Sequence, residues 1–330
     1  NHAASQLPLI VKEVAKGGPT AKAAIEAAGK IGGEEAADAL IAALGTEQND
    51  AALNALLTYK GSLGEKLPAA LQGATGARQQ ALIQLASKRA VYEATPQMFA
   101  LASSTDAAVA DAALKALPTM VKSADLPQVA SLLDNAQASQ VATCQSALSA
   151  SVASLEPKAQ YDAIAAQMKA AKSAQRFFKP LAATGTDEAI ADMKNAYADK
   201  ASSDEQRAEA LTALKSTANY SAAPTLLEAG KAGDESALTA YVGLVSANER
   251  NIDSRCRKLA EAMQVAKSAG TKKAALSALA NAPTQRAFNV VGQYLDDKDV
   301  AYEAAVAEKT IAGKCVDDLD YEVMTANLNK

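Results

Sequence analysis

Apolar residues recur along the chain at spacings of three and four, and this spacing predicts helices throughout. In the clearest copies an alanine and a leucine are followed by a second leucine three positions on, as in Ala81, Leu82 and Leu85. Such a spacing places the apolar residues on one face of a helix. No stretch shows the β-branched alternation typical of strands, so an all-α fold is predicted. The same triplet recurs at Ala52, Leu53, Leu56; Ala113, Leu114, Leu117; Ala210, Leu211, Leu214; and Ala275, Leu276, Leu279.

A second set of apolar stripes lies between these triplets and predicts a partner helix for each. One example is formed by Leu126, Val129 and Leu133. Ser203 and Gln206 have the spacing of a capping box, which marks a helix start. The copies recur at intervals of roughly 30 residues, which is the period of a solenoid. A lone hairpin cannot bury such a face, so neighbouring hairpins must cover it.

The predicted fold class is therefore all-α, a right-handed superhelix of about ten helical hairpins. We expect residues 1–330 to form one solenoid, with residues 171–186 as a candidate irregular junction because the repeat signal is weakest there. Residues 314–330 are predicted to be an acidic C-terminal tail or linker. The run Asp317, Asp318 and Asp320 lacks the glycine and the distal glutamate of a calcium-binding loop, so no metal site is predicted there.

Composition narrows the classes of function. Of the 330 residues, 49% are hydrophobic and 4% are aromatic, and the formal net charge is -4. Proteins that bind nucleic acid usually carry a basic stripe or a high isoelectric point. DNA and RNA are therefore not expected as partners. No apolar run reaches the roughly 20 residues that cross a bilayer, so no membrane span is expected.

Catalytic and metal-binding constellations are not visible in the sequence. His2 is the only histidine, so a Ser-His-Asp or Cys-His arrangement has no base. Cys144, Cys256 and Cys315 are far apart and show no zinc-ligand spacing. Buried free thiols are the favoured interpretation of these cysteines, and a disulfide or a reactive thiol is the alternative. We expect no catalytic residue, no metal, no cofactor and no enzymatic activity for this chain.

Five residues are candidates for contact with a partner. Arg176, Phe177 and Phe178 stand together, and two adjacent phenylalanines cannot face the same way on a helix. One ring could pack in the core while the other anchors a partner; alternatively, both rings fill a gap in an irregular repeat. Tyr220 and Tyr241 are candidates to line the inner surface, with half-buried packing as the alternative.

Three cations share one position of the repeat. Arg78, Arg207 and Lys272 each stand three residues before the alanine of a triplet. The favoured interpretation is a structural ladder, in which each cation pairs with a turn carboxylate or carbonyl of a neighbouring repeat. The alternative is a cationic strip for an acidic ligand, which the acidic balance of the chain disfavours.

The pattern of a cation, small residues and a leucine resembles HEAT repeats, specifically the short bacterial type of phycobilin-lyase-like proteins. The resemblance implies an armadillo-like α-solenoid and no particular function. The final unit, with its NAPT turn and its YLDDKDVAYEAA segment, resembles HEAT regions that accompany 3-keto-disaccharide hydrolase domains in secreted bacterial proteins. That resemblance implies a periplasmic or extracellular location, with a cytoplasmic one left open.

Two functions follow as predictions. The first is a non-catalytic protein-interaction or scaffold module, because an extended concave surface suits a protein segment or an adjacent domain as partner. The alternative, implied by the resemblance of the final unit, is an accessory helical region of a larger secreted carbohydrate-processing protein.

Overall fold

The structure is a computed structural model that describes residues 5–328, without the side chains of Asp318 and Leu328. His2 lies outside the described residues. Within residues 5–328 the chain forms 21 α-helices and no β-strand. The all-α prediction is therefore confirmed. Over the same residues, no helix combines the length and the hydropathy that a bilayer span requires.

The first unit comprises Asn1–Glu156 and Ala166–Ser173. Its described residues form five helical hairpins whose second helices lie next to one another in chain order. Leucines of the predicted triplets, such as Leu56 and Leu85, are fully buried between neighbouring hairpins. The helices are α1 (Leu7–Lys16), α2 (Ala21–Ile31), α3 (Glu34–Ala42), α4 (Asn49–Thr58), α5 (Lys66–Gln72), α6 (Gly76–Arg89), α7 (Thr95–Leu101), α8 (Ala107–Met120), α9 (Leu126–Asn135) and α10 (Val141–Val152).

The second unit comprises Pro157–Ala165 and Ala174–Lys330. Its described residues continue the hairpin pattern, and the even-numbered helices again lie next to one another in chain order. The chain passes from one unit to the other after Glu156, Ala165 and Ser173, and the last of these points lies within the candidate junction at residues 171–186. The helices are α11 (Pro157–Ala170), α12 (Phe178–Ala183), α13 (Asp187–Ala198), α14 (Asp204–Ser216), α15 (Ala223–Lys231), α16 (Glu235–Asn248), α17 (Ile252–Val265), α18 (Ala269–Ala280), α19 (Gln285–Gly292), α20 (Ala301–Cys315) and α21 (Tyr321–Leu328).

The interval 314–330 contains the end of α20 and the short helix α21. The side-chain amide of Asn327 donates a hydrogen bond to the carboxylate of Glu308. Asn327 also lies so close to Gly292 that a Cβ on this glycine would come within 2.9 Å of its side-chain amide carbon. The described part of this interval thus packs on α19 and α20.

A close contact joins the second hairpin to the third. Gly45 follows α3 with a φ of +77°, and a Cβ built on it would lie 2.7 Å from the backbone nitrogen of Arg78 in α6. Only a residue without a side chain fits this approach, so Gly45 sets how closely the two hairpins stack.

Candidate functional site

A cleft of about 1490 Å³ lies over the adjacent helices α2 and α4 in the first unit. Small residues form its floor: Gly29 of α2 faces Ala55 of α4, and a Cβ on Gly29 would lie 3.0 Å from the Cβ of Ala55. The segments that follow the two helices, residues 31–34 and 59–66, form the walls. Ligand sites usually measure about 300–1,000 Å³, so this cleft has room for an elongated ligand.

Charged side chains line the cleft without pairing to one another. Lys22, Glu26 and Lys30 follow at intervals of four on α2, so they share one face of the helix. Lys60 and Glu65 approach from the second wall. In the part of the chain that the structure describes, none of these five side chains forms an ion pair or a hydrogen bond. They are therefore free to meet a ligand.

Ion pairs at the same helical spacing do form elsewhere in this unit. Lys115 and Asp111 of α8 are four residues apart, and their charged atoms lie 2.6 Å apart. The spacing on α2 would allow Glu26 to pair with either lysine beside it. The side chains of α2 instead stay apart along the cleft.

Hydrogen bonds outside the floor hold the two walls together. The hydroxyl of Tyr59 donates to the carbonyl of Gly33 at 3.0 Å, which joins the second wall to the first. The ammonium of Lys66 donates to the carboxylate of Asp38 at 2.7 Å. This hydrogen bond raises the pKa of Lys66.

The cleft as a whole carries both signs of charge. Four lysines and four glutamates line it, and Asn54, Thr58 and Ser62 add neutral polar groups. Such a lining suits a polar ligand with positive and negative groups, and it offers little to an apolar one. Among the side chains that the structure describes, no group of three or more from His, Cys, Asp or Glu is arranged to hold a metal ion.

The structure places Phe177 and Phe178 in the core of the second unit. Phe177 is 0% exposed and Phe178 is 6% exposed. Arg176 is half-buried beside them. Neither ring offers a free surface in this structure, and the arrangement corresponds to the packing interpretation of these residues.

The two candidate tyrosines lie near each other in the second unit. Tyr241 of α16 is only 3% exposed, and burial raises its pKa to about 12. Tyr220 is half-buried, and its hydroxyl accepts a hydrogen bond of 2.8 Å from the ammonium of Lys258. Lys258 also donates to the carboxylate of Glu249 at 2.5 Å, and the hydroxyl of Ser254 donates to the same carboxylate at 3.0 Å.

These contacts form what we call the Tyr220 cluster, made of Tyr220, Glu249, Ser254 and Lys258. It ties the turn before α15 to the first turns of α17. Its polar groups satisfy one another, and its two charges cancel. The sequence carries no signal for it, because Tyr220 and Lys258 are 38 residues apart.

The Tyr220 cluster predicts a specific acid sensitivity. The hydrogen bond from Lys258 lowers the pKa of Glu249 to about 2. A carboxyl group with a lowered pKa stabilises the fold above its unfolded pKa, and the effect is lost as the pH falls through the folded value. We expect the stability difference between wild type and Glu249→Gln to be largest at neutral pH and to shrink between about pH 4.5 and about pH 2. Urea unfolding over this range checks it, and parallel pH profiles of the two proteins would contradict it.

The three repeat cations have different partners. The ammonium of Lys272 lies 2.7 Å from the carboxylate of Asp297, in the turn of the next hairpin. Arg207 instead contacts its own turn, at the carbonyl of Ser202 and the carboxylate of Asp204. The side chain of Arg78 is exposed and forms no ion pair within the described residues. In the structure, only Lys272 of the three bridges to the neighbouring hairpin.

Within the described residues, none of the three cysteines forms a disulfide bond. Cys144 and Cys256 are buried, and Cys315 is half-buried at the end of α20. The thiol of Cys256 lies 3.3 Å from the hydroxyl of Thr284.

Comparison with known proteins gives limited similarity. No family model matches the sequence, and no curated protein matches it. Among solved structures, the chain is similar to human deoxyhypusine hydroxylase in complex with glycerol, with a TM-score of 0.30 and 15% sequence identity. The similarity covers 88% of this chain and 97% of that chain. At this level it assigns no activity to the present protein.

This comparison corrects both predicted functions and the prediction that the chain is no enzyme. The similar structure is that of an enzyme, so the prediction of a non-catalytic interaction or scaffold module is withdrawn. The alternative of an accessory region in a carbohydrate-processing protein is withdrawn with it, as is the prediction that the chain is no enzyme. The physical reason is that a stack of helical hairpins specifies a fold and not the presence or absence of catalysis.

The comparisons do not decide the predicted partner, the predicted location or the type of repeat. A protein partner and a location outside the cytoplasm stay predictions, and the short bacterial type of repeat has no support from a family model. The all-α fold class is confirmed: the described residues of each unit form stacked helical hairpins and no β-strand.

Proposed function

We propose that the first unit binds an elongated, polar ligand that carries both positive and negative groups in the cleft over α2 and α4. The observation that supports the proposal most strongly is the row Lys22, Glu26 and Lys30. These charges face the cleft and have no partner within the described residues. A ligand with charges of both signs would supply the missing partners.

The charge balance of the lining selects between classes of ligand. A polyanion such as nucleic acid would meet four glutamates, and a polycation would meet four lysines. Like charges brought together repel, so both classes are disfavoured. A ligand with alternating charges places each group opposite a side chain of the other sign.

The exposure of these charges sets the strength of binding. Each exposed ion pair contributes about 0.2–1 kcal/mol. Several such contacts add up to at most about 4–5 kcal/mol, which corresponds to a Kd in about the millimolar range. Salt screens exposed charges, so the affinity should fall as the ionic strength rises.

Calorimetric titration with four capped tetrapeptides tests the proposal. The probes are an alternating Arg–Glu peptide, an all-Arg peptide, an all-Glu peptide and a neutral Ser–Gly peptide. We expect the alternating peptide to bind most tightly. We expect the triple variant Lys22→Gln, Glu26→Gln, Lys30→Gln to weaken its binding at least about tenfold, which corresponds to about 1.4 kcal/mol.

A matched variant controls for the loss of helix-surface charge. Asp111→Asn with Lys115→Gln removes an ion pair from α8, outside the cleft. This variant should keep wild-type affinity. The proposal is wrong if the alternating peptide binds no better than the neutral one, or if the triple variant binds it as well as wild type.

A further inference from the structure

We infer that Arg89 is a positioning residue for the cleft: it holds the wall at residues 59–66 in place without lining the cleft itself. The inference rests on the proposed function in so far as this wall contacts the ligand. Arg89 is the last residue of α6, and it is not among the residues that line the cleft.

The guanidinium of Arg89 donates hydrogen bonds to four backbone carbonyls. It donates to the carbonyl oxygens of Leu56 at 3.1 Å and Leu57 at 3.3 Å. It also donates to those of Tyr59 at 2.5 Å and Gly61 at 3.3 Å. The first two belong to the last turn of α4, where carbonyls have no partner within the helix. The other two belong to the wall, so one side chain fixes where the wall leaves the helix.

The chemistry of arginine explains why this residue type is needed. A guanidinium presents five N–H donors in a rigid planar fork. One terminal nitrogen, Nη1, contacts the carbonyls of Leu56, Leu57 and Tyr59, and the other, Nη2, contacts that of Gly61. A lysine ammonium carries the same charge on a single nitrogen, so it has no second nitrogen to place at Gly61. A positive charge at this end of α4 is also favourable, because the carbonyl end of a helix is partially negative.

The hydrogen bonds continue from Arg89 to the opposite wall. Arg89 holds the carbonyl of Tyr59, and the hydroxyl of Tyr59 donates to the carbonyl of Gly33. The ring between these two ends is buried, at 6% exposure. Arg89 thus acts on both walls through Tyr59.

The backbone next to Arg89 is a second, independent observation. Ala90 has a φ of +49°, and it is the one non-glycine residue with positive φ among residues 5–328. A left-handed conformation is unfavourable for alanine. Such strain persists where surrounding contacts determine the conformation, and it is often found near functional sites. The turn at Ala90 ends α6 directly after Arg89, and the side chain of Arg89 is directed at the wall.

Hydrogen exchange read by mass spectrometry tests the inference without any ligand. In Arg89→Met, amide exchange in residues 59–66 should rise at least tenfold, while exchange in α8 stays at the wild-type rate. Arg89→Lys should show an intermediate rise, because it keeps the charge and loses the fork. Arg78→Met is the matched control, since Arg78 lies on the same helix with an exposed side chain.

Binding of the alternating Arg–Glu peptide separates a positioning role from a purely structural one. We expect at least tenfold weaker binding in Arg89→Met and unchanged binding in Arg78→Met. Unchanged exchange in residues 59–66 would overturn the inference, as would faster exchange with wild-type affinity. If wild type binds no peptide, the proposed function fails, and the exchange data alone decide whether Arg89 fixes the wall. If Arg89→Met does not fold, Arg89→Lys gives the decision.

Discussion

Replacement of Phe177 by alanine is expected to lower the free energy of unfolding of the second unit by about 3–5 kcal/mol. The ring of Phe177 is 0% exposed and is among the largest fully buried side chains. Its removal loses the transfer free energy of the ring and leaves a cavity that the short helix α12 can fill only in part. Urea unfolding followed by circular dichroism measures the change.

A half-buried phenylalanine gives the comparison for this variant. Phe99 of α7 keeps part of its ring exposed, so Phe99→Ala should cost clearly less than Phe177→Ala. The same measurement tests whether Phe177, one of the candidate group Arg176, Phe177 and Phe178, has a packing role. A stability loss below about 1 kcal/mol in Phe177→Ala, which is the ordinary effect of a mutation, would contradict the packing role of this ring.

Replacement of Gly45 by alanine is expected to destabilise the first unit by about 2 kcal/mol or more. The left-handed conformation at a φ of +77° alone costs an alanine about 1–2 kcal/mol. The new Cβ would also lie 2.7 Å from the backbone nitrogen of Arg78, so the second and third hairpins must move apart. The free energy of unfolding measured in urea checks the prediction.

Gly73 supplies the matched control for this substitution. Its φ is -109°, and a Cβ there would meet nothing within 4 Å. Gly73→Ala should therefore leave the stability nearly unchanged. Equal effects of the two substitutions would show that Gly45 does not set the stacking of the hairpins.

The fold could be predicted from the sequence because its determinants are local. A helical hairpin contacts its neighbours in chain order, so the residues that must be buried recur at a fixed spacing. The triplet Ala113, Leu114 and Leu117 illustrates this, with exposed fractions of 0%, 5% and 1%. The same spacing shows which helix faces cover each other, without any knowledge of distant contacts.

The cleft could not be predicted in this way. Glu26 and Lys30 have the helical spacing of an ordinary ion pair, as Asp111 and Lys115 do, and only the latter two form one. The wall depends on Arg89, whose hydrogen bonds reach back 28 to 33 residues along the chain. Contacts of this kind leave no periodic trace in the sequence.

The burial of two candidate residues could not be predicted from the sequence either. Phe177 and Tyr241 stand out because the chain has few aromatic residues. A large aromatic side chain can, however, fill a space in the core as readily as it can contact a ligand. Both side chains are buried, at 0% and 3% exposure. The free charges that line the cleft are common residue types, and their spacing alone does not distinguish them from a solvated helix face.

The reactivity of lysine amines gives the most direct test of whether the free charges of α2 receive a ligand. Acetylation rates are measured by mass spectrometry for each lysine, with and without a saturating amount of the capped alternating Arg–Glu peptide, which itself has no amine. We predict several-fold slower acetylation of Lys22, Lys30 and Lys60, while the exposed lysines outside the cleft, such as Lys12, Lys200 and Lys309, keep their rates. Unchanged rates at the cleft lysines, or equal protection of all lysines, would contradict the assignment of this cleft as the ligand site.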